Sequence, residues 1–380
     1  MNKKLIVVTV VGTRPEIIRL SRVIYALNES KSINHILIHT GQNYDYELNQ
    51  IFFDNFNIPK PNYFLNAAGG SASSTIGNII SSVEKILVEI NPDAFLVLGD
   101  TNSCLCAIPA KKLKIPVFHM EAGNRCFDQR VPEETNRKIV DHIADVNLTY
   151  SDIAREYLLR EGISPQKIIK TGSPMFEVLN HNLTAIKKSD ILDRLNLKPN
   201  EYFVVSAHRE ENIEDKNNFN NLINTLNIIA KKYNFPIILS THPRTNNKIN
   251  ELDVKFHSNI IISKPLGYFD YNKLQLNSFM VLSDSGTISE ESSILNFKAL
   301  NIREAHERPE AMEEASVVMT GLNSNTILNS IEHVKNQKTF EKRSINLVQD
   351  YAKNNVAEKV VRIILSYTGY INKFTWLKEF

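Results

Sequence analysis

Cysteine is scarce in this chain and poorly placed for a staple. Cys104, Cys106 and Cys126 are the three in 380 residues. An odd set without C-x-x-C spacing suggests neither a disulfide framework nor a zinc site. The reducing cytoplasm is therefore the expected compartment. No apolar run reaches the roughly 20 residues that a bilayer-spanning helix needs. The first apolar run, residues 5–11, is rich in β-branched residues and enters Gly12-Thr-Arg-Pro-Glu16 instead of a small-residue cleavage site. It reads as a first strand, not as a leader peptide. An excess of one charge is missing as well. The 44 basic and 42 acidic residues leave a net charge of +2, which offers no basic surplus for a nucleic-acid surface. Neither G-x-G-x-x-G nor a Walker P-loop occurs, so dinucleotide and ATP-hydrolysis readings lack their best support. The histidines show no metal-ligand spacing of the H-E-x-x-H kind.

What is present is a regular alternation. A length of 380 residues, with 42% apolar and 23% charged residues, is ordinary for a globular protein and too long for one small core. Strand-like apolar runs are expected at 5–11, 35–40, 94–98, 115–119 and 146–150. Residues 63–75 read as a loop. Helical spacing recurs over 17–27 and 76–90, and Ser151 is placed to cap another helix. A turn-rich linker is expected near 174–198. The pattern then restarts with strands at 202–206, 237–240, 260–263, 279–282 and 298–302, and ends in a helix from 356 through 376. This is the α/β signature of doubly wound parallel sheets, written twice.

The chemistry concentrates in Met120 to Asp145. Four carboxylates (Glu121, Asp128, Glu133, Glu134) and three arginines (Arg125, Arg130, Arg137) fall within seventeen residues. Glu121 is expected at the end of a strand. Glu133 is expected at a helix start near Pro132, four residues from Arg137 and so on its face. In an α/β protein acids at strand ends lie where ligands bind; the bland reading is a solvated, salt-bridged loop. Asp100, after the strand at 94–98, joins Glu121 and Glu133 as a candidate general acid or base. Gly12-Thr-Arg14-Pro-Glu16 joins a strand to a helix whose free N–H groups, with Arg14, can hold a phosphate. Ser283 to Glu291 makes a second such turn. There Ser285, Gly286 and Thr287 can face a diphosphate and a carboxylate can take ribose hydroxyls; the other reading is a capping box of Thr287 with Glu290. His208 follows a strand beside Arg209, a setting for phosphate contact or proton transfer. His242 and His306 share that setting with less support.

Taken together, Gly12-Thr-Arg-Pro-Glu16, Gly99-Asp-Thr101, Glu121-Ala-Gly123, Pro132-Glu-Glu134 with Asn136-Arg137, His208-Arg209, Asp284-Ser-Gly286 with Glu290-Glu291, and Glu307-Arg-Pro-Glu310 resemble the non-hydrolysing UDP-N-acetylglucosamine 2-epimerases. The likeness runs in order from residue 5 to about 320. It implies a GT-B type fold of two Rossmann-like domains, here 1–175 completed by a helix at about 362–380, and 176–361, with the active site in the cleft between them. It implies a homodimer, a UDP-sugar substrate, and no metal or other cofactor. The implied reaction removes the C2 proton while UDP leaves C1, giving a 2-acetamidoglycal, and then reverses on the other face. Asp100, Glu121 and Glu133 would serve the sugar. Arg14, Arg137 and His208 would hold the diphosphate. Ser285, Gly286 and Glu291 would bind phosphate and ribose, Tyr271 would contact uracil, and Arg308 would face the substrate. Arg19 stands where the family usually has lysine, Glu210 where it has arginine, and the loop before Pro132 is short. With the runs GQNYDYELNQIFF, EAGNRCFDQRVPEETNR and TGSPMFEVL, these resemble the branch that makes UDP-N-acetyl-L-fucosamine from UDP-2-acetamido-2,6-dideoxy-L-talose for capsule or O-antigen. The D-gluco epimerase, the hydrolysing variant, a GT-B glycosyltransferase and a catalytically silent UDP-sugar sensor are the other readings.

Overall fold

A computed structural model describes residues 3–42, 52–241, 245, 246, 248, 249, 254–305 and 307–378; at Glu210 and Glu211 it describes the backbone only. His242, His306 and most of the 41–53 run lie outside the described residues. The chain divides into two compact units, residues 1–178 with 350–380 and residues 179–349.

Unit 1 holds a seven-stranded sheet ordered β3-β2-β1-β4-β5-β6-β7. Its strands are β1 (Leu5–Val11), β2 (Ile33–His39), β3 (Tyr63–Phe64), β4 (Ala94–Leu98), β5 (Val117–Ala122), β6 (Val146–Thr149) and β7 (Ile168–Lys170). Every pairing is parallel. Val7, Val8, Phe95, Leu96, Val97, Val117 and Phe118 are fully buried, as befits strands covered on both faces. The helices used below are α1 (Arg14–Glu29), α2 (Ala72–Ile90), α3 (Glu133–Ile143) and α4 (Asp152–Arg160). Ser151 caps α4 by accepting from the Ala154 amide, as its position suggests. The helix α2 starts four residues before the expected 76. Ser71 accepts the Ser74 amide, so a serine-rich stretch that reads as loop becomes a first turn.

Unit 2 repeats the plan with a six-stranded parallel sheet ordered β10-β9-β8-β11-β12-β13. The strands are β8 (Phe203–Ser206), β9 (Ile237–Ser240), β10 (Ile260–Ser263), β11 (Met280–Ser283), β12 (Ala299–Asn301) and β13 (Val318–Met319). Its core joins the apolar strand faces to Phe219, Leu222, Leu226 and Ile229 of α6 (Lys216–Tyr233). The site also draws on α7 (Tyr268–Asn277) and α8 (Ile288–Leu295).

Three further elements depart from expectation. The supposed linker is largely helical: α5, Met175–Lys188, crosses the division of the chain and buries Met175, Val178, Leu179 and Ile186 at helical spacing. The short strands β3 and β13, two residues each, carry too little pattern to show in the sequence. The last helix, α9 (Val356–Phe374), belongs to unit 1, where it packs on α1. The units part at 178/179 and 349/350, whereas the sequence suggested 175/176 and 361/362. No described helix is long and apolar enough to cross a membrane.

Candidate active site

In each sheet the strand order reverses once, between β1 and β4 in unit 1 and between β8 and β11 in unit 2. Doubly wound sheets bind ligands outside the carboxyl ends of the strands at such a point. The loops that leave these four strands carry Gly12-Thr13-Arg14, Asp100, His208 and Ser285-Gly286, so both reversals hold residues named from the sequence.

At the unit 1 reversal, Glu16 is buried at 1% exposure and ties the loops together. Its Oε2 accepts the Gly12 and Thr13 amides at 2.8 and 2.7 Å, and its Oε1 accepts the Thr101 hydroxyl at 2.8 Å. Burial raises its carboxyl above the usual 4.5 despite these donors. The turn expected to cradle an anion thus spends two of its amides on its own carboxylate. Arg14 lies half-buried, its guanidinium carbon 5.9 Å from the centre of the Phe52 ring.

Glu121 is the last residue but one of β5, at the strand end where it was expected, and it lies where the register with β6 shifts. Its φ is +63°, a conformation that glutamate rarely adopts. The bulge re-aims the side chain. One carboxylate oxygen pairs with Arg19, a buried residue of α1, and the other accepts from Asn124 Nδ2 at 3.1 Å. Gly123 follows at φ +80°, where a Cβ would lie 2.4 Å from the Ala154 carbonyl oxygen, so only glycine fits.

Arg137, on α3, reaches Asp100 at 2.7 Å and Glu134 at 2.9 Å. Glu134 also accepts the Cys126 amide at 3.2 Å. Burial would raise the Glu134 carboxyl; the hydrogen bonds from Cys126 and Arg137 outweigh it and hold it low. Glu133, the expected acid, is the half-buried first residue of α3. Behind these groups Asp141 accepts from Arg125 at 2.7 Å and faces His119 Nδ1 at 2.9 Å, while His119 Nε2 faces the Gly99 carbonyl at 2.7 Å. Arg125, 2% exposed, is held bidentately by Glu161 and donates to the Asn124 carbonyl at 2.7 Å. A chain of charge-assisted bonds therefore runs from Glu161 to the residue that holds Glu121. The solvated-loop reading fits only Asp128 and Arg130, a 2.7 Å pair whose arginine is 86% exposed.

At the unit 2 reversal, Ser285 and Thr287 share a hydroxyl contact of 3.0 Å, and Thr287 makes no side-chain cap to α8. Glu290 turns to Arg308, 3.5 Å away and 4% exposed. The capping-box reading is overturned: both of its members are engaged elsewhere. Glu291 accepts from Gln275 Nε2 at 3.0 Å. Among the described residues a Cβ on Gly286 would meet Arg209 and Glu307, at 3.5 and 3.9 Å, with no close contact. Tyr271, on α7, buries its hydroxyl beside Ser206 and Ser283, and burial, with the Glu291 charge, pushes that hydroxyl well above its usual range. His208 is 40% exposed beside the fully buried Asp284. Among the described residues no group of three His, Cys, Asp or Glu side chains could hold a metal ion.

Sequence reasoning passed over Glu134, Asp141, Arg125, His119 and Asp284 as working parts. A signal existed for two of them. Glu134, Arg137 and Asp141 are spaced by three and four on α3 and all face inward, a buried polar stripe where an apolar one is usual.

Known proteins resemble the chain along nearly its whole length. A family model described as UDP-N-acetylglucosamine 2-epimerase matches residues 25–365. A solved UDP-N-acetylglucosamine 2-epimerase from Rickettsia bellii is 50% identical, with a TM-score of 0.92 over 99% of this chain and 100% of its own. The Methanocaldococcus jannaschii UDP-GlcNAc 2-epimerase, solved with UDP-GlcNAc and UDP, is 34% identical with a TM-score of 0.87 over 95% and 99%. A Pseudomonas aeruginosa UDP-2,3-diacetamido-2,3-dideoxy-D-glucuronate 2-epimerase is 31% identical over 85% of this chain and 90% of its own. The fold is the GT-B type, with two Rossmann-like parallel-sheet units. The chain belongs to the UDP-N-acetylglucosamine 2-epimerase family and is an isomerase.

Proposed function

We propose that this enzyme inverts C2 of a UDP-linked 2-acetamido sugar by eliminating UDP and adding it back, and that its sugar is UDP-2-acetamido-2,6-dideoxy-L-talose, converted to UDP-N-acetyl-L-fucosamine. The observation that carries the reaction is the Glu121 carboxylate, held on a left-handed residue at a β-bulge by Arg19 and Asn124. Rare backbone geometry of this kind clusters at working sites. The C2 hydrogen is weakly acidic, so departure of the diphosphate leads. The C1–O electron pair leaves with UDP, positive charge develops at C1, and loss of the C2 proton forms the C1–C2 double bond. Carboxylates stabilise that charge and take the proton. Glu121, Asp100 and Glu133 fill these roles. Arg14, Arg137 and His208 hold the diphosphate; Ser285, Gly286 and Glu291 take phosphate and ribose; Tyr271 serves the uracil and Arg308 faces the substrate. The L-sugar is favoured by Arg19, Glu210 and the short loop before Pro132. A second reading, UDP-N-acetylglucosamine as substrate, is favoured by the names of the Rickettsia and Methanocaldococcus proteins.

Proton NMR of UDP-N-acetyl-L-fucosamine with enzyme in deuterated water tests both. Deuterium at C2 together with a new C2 epimer is expected. Exchange of UDP-N-acetylglucosamine alone would transfer the function to the D-gluco sugar. No exchange with either would overturn the epimerase reading.

A further inference from the structure

The buried carboxylate of Asp284 holds the loop that carries His208. β8 and β11 are paired with Ser206 opposite Ser283, so both chains leave the sheet side by side. Asp284 is the next residue on one of them and is fully buried. Its amide donates to the Ser206 carbonyl at 3.1 Å. Its Oδ2 accepts three donors from the other loop: the amides of His208 and Arg209 at 2.9 and 3.0 Å, and Asn212 Nδ2 at 3.1 Å. Among the described residues its Oδ1 has no hydrogen-bond partner, yet His208 Nδ1 is only 3.2 Å from it. A buried carboxylate oxygen left without a donor is costly. The ring nitrogen is the near group that can satisfy it once the exposed ring turns to aim its N–H at that oxygen, and it does so only as Nδ1–H, because a carboxylate cannot donate in return. The other neighbour of Nδ1, the Ser206 hydroxyl at 3.4 Å, would accept either tautomer.

We propose that Asp284 is a positioning residue for His208. It holds the imidazole in the Nδ1–H tautomer, which makes Nε2 the nitrogen that meets substrate, and it balances the ring's charge when Nε2 is protonated. This rests on the reading of His208 as a diphosphate contact. The imidazolium gives its Nε2 proton to a diphosphate oxygen as the C1–O bond breaks. The neutral ring, still Nδ1–H, takes that proton back as UDP re-adds. The same division of labour, in which a buried carboxylate sets the tautomer and the imidazole moves the proton, operates in serine hydrolases.

The test is two-bond proton–nitrogen NMR of enzyme labelled with nitrogen-15 histidine at about pH 8, where an ordinary histidine is neutral. The His208 ring is assigned by its absence in His208→Gln. Wild-type enzyme is expected to show His208 as Nδ1–H. In Asp284→Asn the amide NH2 faces Nδ1 and should invert the ring to Nε2–H. Turnover should then fall by roughly 100- to 10,000-fold, with UDP affinity unchanged within about threefold. Ser206→Ala should keep the Nδ1–H form. An Nε2–H ring in the wild type overturns the proposal without any variant having to fold. So does a Ser206→Ala protein whose ring inverts, or a folded Asp284→Asn protein with wild-type turnover. Absence of C2 exchange in the wild type would strike the epimerase reading and leave the tautomer assignment standing.

Discussion

Glu121 adopts a backbone conformation that costs a residue of its kind roughly 1–3 kcal/mol, in the middle of a sheet that could have continued straight. The folded protein supports that cost with the Arg19 ion pair on one carboxylate oxygen and Asn124 on the other. In the proposed mechanism, charge and not shape is what this position contributes. Glu121→Gln keeps the size, the hydrogen bond from Asn124 and the bulge, but can neither take a proton nor stabilise a cation. The protein should fold and bind UDP, measured by calorimetry, while steady-state turnover drops at least about a hundredfold. Unchanged turnover would take Glu121 out of the mechanism. None of this geometry was legible beforehand. The sequence places Glu121 at the end of a strand, and β5 does end one residue later; the left-handed backbone and the bulge there have no pattern of their own.

Helix α3 shows the same limit at the next scale. Apolar periodicity finds strands such as β1, β4 and β8 because their cores are continuous apolar runs. It is blind to an inward face made of Glu134, Arg137 and Asp141, and it discounts Ser71 to Ser74, whose cap starts α2. Asp141 carries most of the consequence. Burial would raise its carboxyl, but His119 and Arg125 outweigh burial and hold it below the usual 3.8. A carboxyl lowered by folding contributes stability that is complete above its unfolded value and is lost as pH falls through the folded value. Asp141→Asn should therefore be less stable than wild type by an amount constant above about pH 5, and the gap should narrow below 3.8. Because the variant leaves buried Arg125 with only Glu161 and the Asn124 carbonyl, the neutral-pH loss should be about 3–5 kcal/mol. Urea midpoints across a pH series measure both. A gap that widens in acid would assign the lowered carboxyl to the wrong group.

At the scale of the whole molecule the chain makes one unit, leaves it at Val178, makes a second, and returns at Asp350. The return is pinned within unit 1, where the Ser173 amide donates to the Asp350 carbonyl at 3.0 Å and the Ala357 amide to Glu177 at 2.9 Å. Val356, Val360, Ile364 and Ile371 of α9 are buried there. At about 1.5–3 kcal/mol per buried aliphatic side chain, these four contribute roughly 6–12 kcal/mol, the size of a typical domain's whole stability. A chain ending at residue 349 should therefore lose unit 1 to limited proteolysis and keep a resistant fragment near 179–349. Survival of an intact 1–178 fragment would refute that dependence.

The same return dictates an order of events on the ribosome. Proteins are usually pictured as folding from the first residue onward, yet here the first domain to be started is the last to be finished. The 202 residues from Leu179 to the end of the sequence take roughly 10–40 s to synthesise. Throughout that time the face of α1 that α9 will cover has no partner, while unit 2 has all of its own chain as soon as residue 349 is made. The nascent epimerase thus carries a complete second domain ahead of an incomplete first, and the exposed α1 face is where a chaperone, or an aggregating neighbour, has its opportunity.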